Sequence, residues 1–374
     1  MNPFSLLVKP AGPDCNIACH YCFYSCKTSI FGEQKHRMSE EVLETMVRDY
    51  LRAGFEMNAI AFQGGEPTLM GLDFYKKLHE FENKYAKDGQ QITNSLQTNG
   101  ILLDDEWCEF LSKNGWLVGI SLDGPKKYHD YYRVDKGGNG TYERVVESIE
   151  RCKKHNVQFN ILVLVNNLNV QDPDEIFDFF VHDHGIQFLQ FVPCVEYDEE
   201  TKEVTDFSVD PDKFGKFLCR IYDRWKEYGP EKLSVRIFDS TMSYLLTRRH
   251  TNCSFAKRCD DYIVIEHNGE AYCCDFFVEN NWDLGNIMDK NITDIARSEK
   301  KKAFGQRKTK LPKKCVLCRH HSICRGGCPK DRIPVNGDPV QPNYLCESYQ
   351  QYFDHAVEDL KGMLTERGLL QQQG

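Results

Sequence analysis

Hydrophobic positions in the first two thirds of the chain fall into short apolar runs separated by stretches with a helical period. The runs are "SLLVKP" (5–10), "AIAFQGGEP" (59–67), "NSLQTNG" (94–100), "LVGISLDG" (117–124), "FNILVLVNN" (159–167) and "FLQFVPCVE" (188–196). Each is closed by a loop bearing Gly, Pro, Asn or Asp, which predicts parallel strands buried on both faces. Between them lie amphipathic patterns. Ser39 stands as an N-cap before Glu40 and Glu41, and Val42, Leu43, Met46, Val47, Tyr50 and Leu51 form one helical stripe. Further helices are predicted over 71–87, 104–114, 141–155 and 174–184. Six strand–helix alternations give an α/β fold, and periodicity alone leaves a partial barrel and a doubly wound sheet both open.

The position of the chemistry favours the barrel. "KPAGPDC", "FQGGEPT", "LQTNG", "SLDGP" and "VPCVE" all sit at carboxyl ends of strands, the face where barrel enzymes assemble their sites. After about residue 230 the alternation stops. Residues 250–346 read as irregular and rich in Gly, Pro and Cys, a small second domain stapled by metal, and a helix over "YQQYFDHAVEDLKGMLTERG" closes the chain. The expected division is therefore 1–230 and 231–374.

Composition narrows the class. At 374 residues, 41% hydrophobic and 28% charged, the chain has the make-up of a globular protein. No apolar run has bilayer-spanning length, and "MNPFSLLVKP" is too short and interrupted for a signal peptide, so a cytoplasmic protein off the membrane is expected. A net charge of −9 argues against nucleic acid as a partner. The basic run "KKAFGQRKTKLPKK" (301–314) reads as a solvated helix end and linker.

Seventeen cysteines are many for a reducing compartment, and their clustering points to metal rather than disulfides. Cys15, Cys19 and Cys22 follow the first strand as C-x3-C-x2-C. Zinc would want four ligands, whereas an iron–sulfur cube held by three thiolates leaves one iron open. Tyr21, Phe23 and Tyr24 interleave these ligands as a hydrophobic shield. In the C-terminal region Cys259, Gly269 and Cys274 read C-x9-G-x4-C, and Cys315, Cys318, Cys324 and Cys328 read C-x2-C-x5-C-x3-C, with Cys253 before and Cys346 after. Two close pairs would serve a zinc ribbon equally well on spacing alone.

The three-cysteine motif, together with Gly64, Gly65, Glu66 and Pro67 after the second strand, resembles the radical S-adenosylmethionine (SAM) enzymes over roughly residues 1–230. That resemblance implies a partial (β/α)6 TIM-like barrel. The open iron would bind SAM, whose cleavage yields a 5′-deoxyadenosyl radical. It places Tyr21, Tyr24, Gln63, Gly64, Gly65 and Glu66 at the cofactor, with Glu66 on the methionine amino group. Ser121 and Arg133 would face ribose and carboxylate, and the backbone of Val195 the adenine. A plain tight turn, a turn serine and a surface ion pair are the ordinary alternatives for "GGEP", Ser121 and Arg133.

The C-terminal spacing resembles a SPASM domain. This implies two auxiliary [4Fe–4S] clusters, one held by Cys253, Cys259, Cys274 and Cys328 and the other by Cys315, Cys318, Cys324 and Cys346, making three clusters in all. Cys26 and Cys273 are left without a role, although the family usually has proline at position 273.

Across nearly its whole length the chain resembles the anaerobic sulfatase-maturating enzymes, through "SLLVKPAGPDCNIACHYCFY", "IAFQGGEPTL", "NSLQTNG", "VGISLDGP" and "CCDFFV". The implied activity is oxidation of a cysteine or serine of a sulfatase to Cα-formylglycine by hydrogen abstraction from Cβ. Implied partners are an unfolded sulfatase chain with a C/S-x-P/A-x-R motif and a reduced flavodoxin- or ferredoxin-type donor. Asp275 would take the substrate's thiol or hydroxyl proton, although an aspartate bonding its own turn is the plainer reading of that residue. A SPASM enzyme that crosslinks or epimerises a ribosomal peptide is the alternative. Such enzymes often carry an additional N-terminal domain, and only about fourteen residues precede Cys15. A non-catalytic metal-stabilised binding protein would leave "GGEP" unexplained.

Overall fold

The computed structural model describes residues 3–198, 200–201, 203–333 and 340–370. Packing groups the chain into two compact units, each drawn from several segments. The first comprises Met1–Ser121, His129–Phe159 and Cys259–Gln306; the second comprises Leu122–Tyr128, Asn160–Arg258 and Arg307–Gly374.

In the first unit the strands Ser5–Lys9, Met57–Phe62, Gln91–Thr98 and Leu117–Ser121 lie side by side and parallel, as the apolar runs predict. The register pairs Leu6 with Ile60, Asn58 with Ile92 and Leu96 with Val118. Leu6, Val8, Ile60, Phe62, Leu96 and Val118 are buried on one face. Helices Glu40–Arg52, Leu72–Tyr85, Asp105–Lys113 and Tyr142–Lys154 form in the predicted intervals. Ser39 caps the first of them, its Oγ accepting from the Val42 N–H at 3.2 Å, and Tyr50 on its buried stripe donates to the Phe4 carbonyl.

Two expectations change here. The strands are not apolar and buried on both faces. Leu7, Ala61, Ser95 and Gln97 alternate with the buried set and are half-buried. Period-two alternation then carries Lys9, Gln63 and Ser121 onto this second face at the carboxyl ends. Nor is 250–346 irregular throughout. Tyr262–Glu266 adds a parallel strand beside Ser5–Lys9, with Lys9 opposite Glu266. Glu270–Tyr272 and Asp283–Asn286 extend the sheet antiparallel. "YIVIE" is a β-branched run of ordinary strand length, and the surrounding Cys and Gly hide it.

In the second unit residues 161–165 of the strand Gln158–Val165 run parallel to Phe188–Pro193, which runs parallel to Ser234–Val235. Helices Pro211–Tyr228 and Cys346–Glu366 pack together, with Tyr222 donating to Asp359 at 2.7 Å. A Cβ on Gly215 would lie 3.0 Å from the Ser348 Cα, so glycine permits the close approach. Among the described residues no helix is long and apolar enough to cross a membrane.

Candidate active site

The loop after Lys9 is locked to the "GGEP" turn by backbone. Gly65 N–H donates to the Gly12 carbonyl at 2.9 Å and Glu66 N–H to the Asp14 carbonyl at 2.8 Å. A Cβ on Gly65 would sit 1.9 Å from the Asp14 oxygen, so only glycine allows this approach, and Gly64 adopts φ +129°.

Glu66 is wholly buried. Its Oε1 accepts from Thr68 N–H, Thr68 Oγ1 and Thr98 Oγ1 at 3.0, 2.6 and 2.8 Å, and its Oε2 accepts from Asn99 N–H at 2.8 Å. Burial pushes this carboxyl above its ordinary pKa and the hydrogen bonds oppose it. The carboxylate thereby holds the turn and Asn99 in place.

Asn99 Nδ2 lies 3.8 Å from Cys15 Sγ and donates to Asn16 Oδ1 at 2.7 Å. Ile17–Cys19 pairs antiparallel with Arg133–Asp135, setting Cys19 opposite Arg133. Arg133 is buried, with Nη1 3.9 Å from Cys19 Sγ and its guanidinium 5.4 Å from the Tyr21 ring centroid. Burial, followed by the Glu66 charge, pushes the Cys15 thiol up to about 11. A thiol held neutral in this way loses its proton to a metal's charge. Among the described residues Asn16 Nδ2 is buried beside Cys15 without a hydrogen-bond partner. Three thiols with amide and guanidinium donors aimed at sulfur fit an iron–sulfur cluster. Cys26 is exposed, its Sγ 3.3 Å from the Phe23 carbonyl.

Tyr24, Val264, Tyr272 and Val278 form a buried cluster against which Leu7, Cys22 and Phe23 pack. Tyr24 donates to both Glu266 oxygens at 2.7 and 2.8 Å. Burial and then Glu266 push its phenol well above the usual range. Lys9 Nζ lies 3.4 Å from the Tyr24 ring centroid and forms an ion pair with Asp275 Oδ1. Gln63 Nε2 donates to Asp275 Oδ2 at 2.7 Å. Asp275 thus turns its carboxylate to Lys9 and Gln63, not to its own turn. Ser121 is buried and accepts from Gln97 at 3.2 Å.

Among the C-terminal cysteines, Cys274 Sγ lies 3.1 Å from the Tyr262 hydroxyl. Burial pushes its thiol up to about 12. Cys259 and Cys273 each offer a backbone carbonyl to Lys301 Nζ, at 3.0 and 2.8 Å. Lys301 is buried, and burial lowers its pKa while neighbouring thiols oppose the shift.

In the second unit Cys315, Cys318, Cys324 and Cys346 line one cavity. His320 N–H and Gln350 Nε2 point at Cys318 Sγ from 3.4 and 3.6 Å. Four thiols around one space with amide donors fit a fully ligated cluster. Cys328 accepts from Asn343 through its carbonyl at 3.0 Å, and Cys253 from Lys308 Nζ at 2.6 Å. Val195 is buried and its carbonyl accepts from Lys330 Nζ. Among the described residues no three His, Cys, Asp or Glu side chains are gathered for a single metal ion.

A family model described as the radical SAM superfamily matches residues 10–180, and the SPASM model, described as an iron–sulfur cluster-binding domain, matches 253–319. A serine-type anaerobic sulfatase-maturating enzyme of Bacteroides thetaiotaomicron is 39% identical, covering 99% of this chain and 93% of its own. A cysteine-type enzyme of Clostridium perfringens is 36% identical, covering 96% of this chain and 98% of its own. The chain belongs to the anaerobic sulfatase-maturating enzymes. A solved structure, native anSMEcpe with bound AdoMet and Cp18Cys peptide, matches with TM-score 0.90 at 36% identity. The match covers 98% of this chain and 100% of that one. The fold is the radical SAM α/β fold with a SPASM domain.

For a sulfatase-maturating enzyme, sequence reasoning missed Lys9, Asn99 and Glu266. A lone lysine closing the apolar run "SLLVK" was the available signal, since a buried cation requires an anion nearby. The basic run 301–314 also differs from expectation: Lys301 and Lys308 are 3% and 1% exposed, not solvated.

Proposed function

We propose that this chain oxidises a cysteine or serine side chain of a sulfatase to Cα-formylglycine under anaerobic conditions. Likeness along the whole chain to enzymes of both the serine and the cysteine type carries the reading. Residues 1–230 form the radical SAM core and 231–374 the SPASM domain. Cys15, Cys19 and Cys22 hold the first [4Fe–4S] cluster. Cys253, Cys259, Cys274 and Cys328 hold one auxiliary cluster, and Cys315, Cys318, Cys324 and Cys346 the other. When bound, SAM and the first cluster supply the 5′-deoxyadenosyl radical and the auxiliary clusters supply electron transfer.

The chain's own residues bind, orient and move a proton. The "GGEP" turn, held by Glu66, shapes the methionine end of the SAM site with Gly64 and Gly65, and Tyr21 and Tyr24 screen it from water. Ser121 and Arg133 orient the ribose and carboxylate, and the backbone of Val195 meets the adenine. The substrate –CH2–SH loses a hydrogen atom from Cβ, a proton to Asp275 and one electron, leaving –CH=S. Water then gives the aldehyde and hydrogen sulfide, whereas serine gives the aldehyde directly. Gln63 and Lys9 fix the Asp275 carboxylate at its two oxygens, one each, so that it meets the substrate proton preorganised. The substrate is a peptide segment of C/S-x-P/A-x-R type, presented by an unfolded or nascent sulfatase in the cytoplasm. Electrons come from a reduced flavodoxin- or ferredoxin-type protein.

The test is anaerobic incubation of the reconstituted chain with SAM, a reductant and a C-x-P-x-R peptide, followed by mass spectrometry. The expected cysteine product is lighter by two hydrogens with oxygen in place of sulfur, and the serine peptide's product is lighter by two hydrogens only. SAM cleavage beside a peptide of unchanged composition would contradict the reading.

A further inference from the structure

The basic run 301–314 lies outside the role given to every residue above, yet two of its lysines are among the most buried charged groups in the protein. Lys301 leaves the helix Glu299–Arg307 inward and gives its Nζ to the carbonyls of Cys259 and Cys273. Aromatic rings of Tyr262 and Phe304 flank the ammonium, each centroid 5.6 Å away. The helix presses hard on this loop: a Cβ on Gly305 would stand 1.6 Å from Asp260 Oδ1, next to Cys259. In the second unit Lys308 repeats the contact, its Nζ donating to the carbonyls of Cys253 and Ser254 at 2.6 and 2.8 Å.

Among the described residues Lys301 forms no ion pair with a carboxylate; its hydrogen-bond partners are two carbonyls, and the charge of Asp260 acts on it more weakly than those of the Cys273, Cys274 and Cys259 thiols. Burying an ammonium without an anion is costly, by several kcal/mol even after relaxation. A helix that packs such a group beside cysteine backbones therefore calls for negative charge at those cysteines. An iron–sulfur cluster with four thiolates carries net negative charge, which grows by one unit on reduction. A fixed cation in a medium of low dielectric stabilises the more negative, reduced form and raises the reduction potential.

We propose that Lys301 and Lys308 are positioning residues, each raising the potential of the auxiliary cluster that its own neighbouring cysteine ligates, Cys259 for Lys301 and Cys253 for Lys308, high enough to accept the substrate's electron. This rests on the ligand assignment proposed above. Each turnover delivers one electron from the substrate, and the cluster is reduced by one and must return it to a further acceptor. Donating to backbone carbonyls, rather than to sulfur, lets each lysine act through its charge while leaving thiolate geometry to the ligands.

The experiment is an anaerobic redox titration of the reconstituted full chain followed by electron paramagnetic resonance, with iron and sulfide measured on the same samples. Lys301→Gln keeps donor capacity and removes the charge. Its reduced-to-oxidised ratio at a fixed potential should fall about tenfold for one cluster, a shift of about 59 mV to lower potential for a one-electron couple. Lys301→Arg should restore the parental value, and Lys302→Gln, on the exposed side of the same helix with its Glu299 ion pair, should leave all clusters unchanged. Full iron content with unmoved potentials in Lys301→Gln would overturn the proposal. Should that variant lose the cluster, Lys308→Gln carries the same expectation and the same refutation. A parent chain that binds iron for only one cluster would instead sink the ligand assignment itself, and the proposal with it.

Discussion

Asparagine at position 275 lowers formylglycine formation by roughly a hundredfold or more, the range expected when a positioned general base is lost. Iron content and the SAM cleavage that occurs without peptide stay near parental values. The reason lies in which groups the carboxylate touches. Asp275 reaches Lys9 and Gln63 rather than a cysteine sulfur, so its replacement leaves the ligands alone. The amide keeps an acceptor for one neighbour but no charge for a proton. The replacement also leaves the Lys9 ammonium, 1% exposed, without its anion, a change that costs about 3–5 kcal/mol when a buried pair is broken. The variant should therefore melt at lower temperature while still folded at the assay temperature. Iron assay and thermal denaturation check the first half of the prediction, and mass spectrometry of peptide product the second. Parental product yield would remove Asp275 from the chemistry.

Alanine at Cys22 and alanine at Cys26 separate completely, although the two thiols stand four residues apart. Cys22→Ala should lose about one third of the iron of a chain with three [4Fe–4S] clusters, and with it all SAM cleavage. Cys26→Ala should keep all the iron and the activity. Cys22 packs against the buried Tyr24 cluster, whereas Cys26 is exposed on the following turn with its sulfur at the Phe23 carbonyl. Iron analysis and high-pressure liquid chromatography of 5′-deoxyadenosine read both variants. A Cys26→Ala chain that lost the first cluster would show that the ligand set was misassigned.

Much of this site was legible from residue order because its parts are local. Cysteines within eight residues share one loop, and a Gly-Gly-x-Pro turn declares its backbone needs in its own composition. The strands were legible for the same reason, since period and closing residues are short-range signals. What escaped notice depends on register between distant segments. That Lys9 stands opposite Glu266 follows from a strand at 262–266 pairing beside the first strand, a contact across more than two hundred residues. The same pairing brings Asp275 to Lys9 and Gln63, and no pattern within "CCDFFV" announces it. The hydrogen bonds at Glu66 escaped notice for a related reason: its four donors come from Thr68, Thr98 and Asn99, partly on the next strand's end. Lys301 shows the converse error, in which a run of like charges suggested solvent and hid two members that point inward.

In the proposed reaction the hydrogen atom removed comes from the Cβ of the target residue. Peptides carrying a C-x-P-x-R segment, deuterated at Cβ or at Cα of the target cysteine, test it in a single-turnover incubation with SAM and a reductant. Deuterium should pass from Cβ into 5′-deoxyadenosine in step with formylglycine, and none should pass from Cα. Label arriving from Cα but not from Cβ would contradict the account and favour a peptide epimerase or crosslinking enzyme on the same fold.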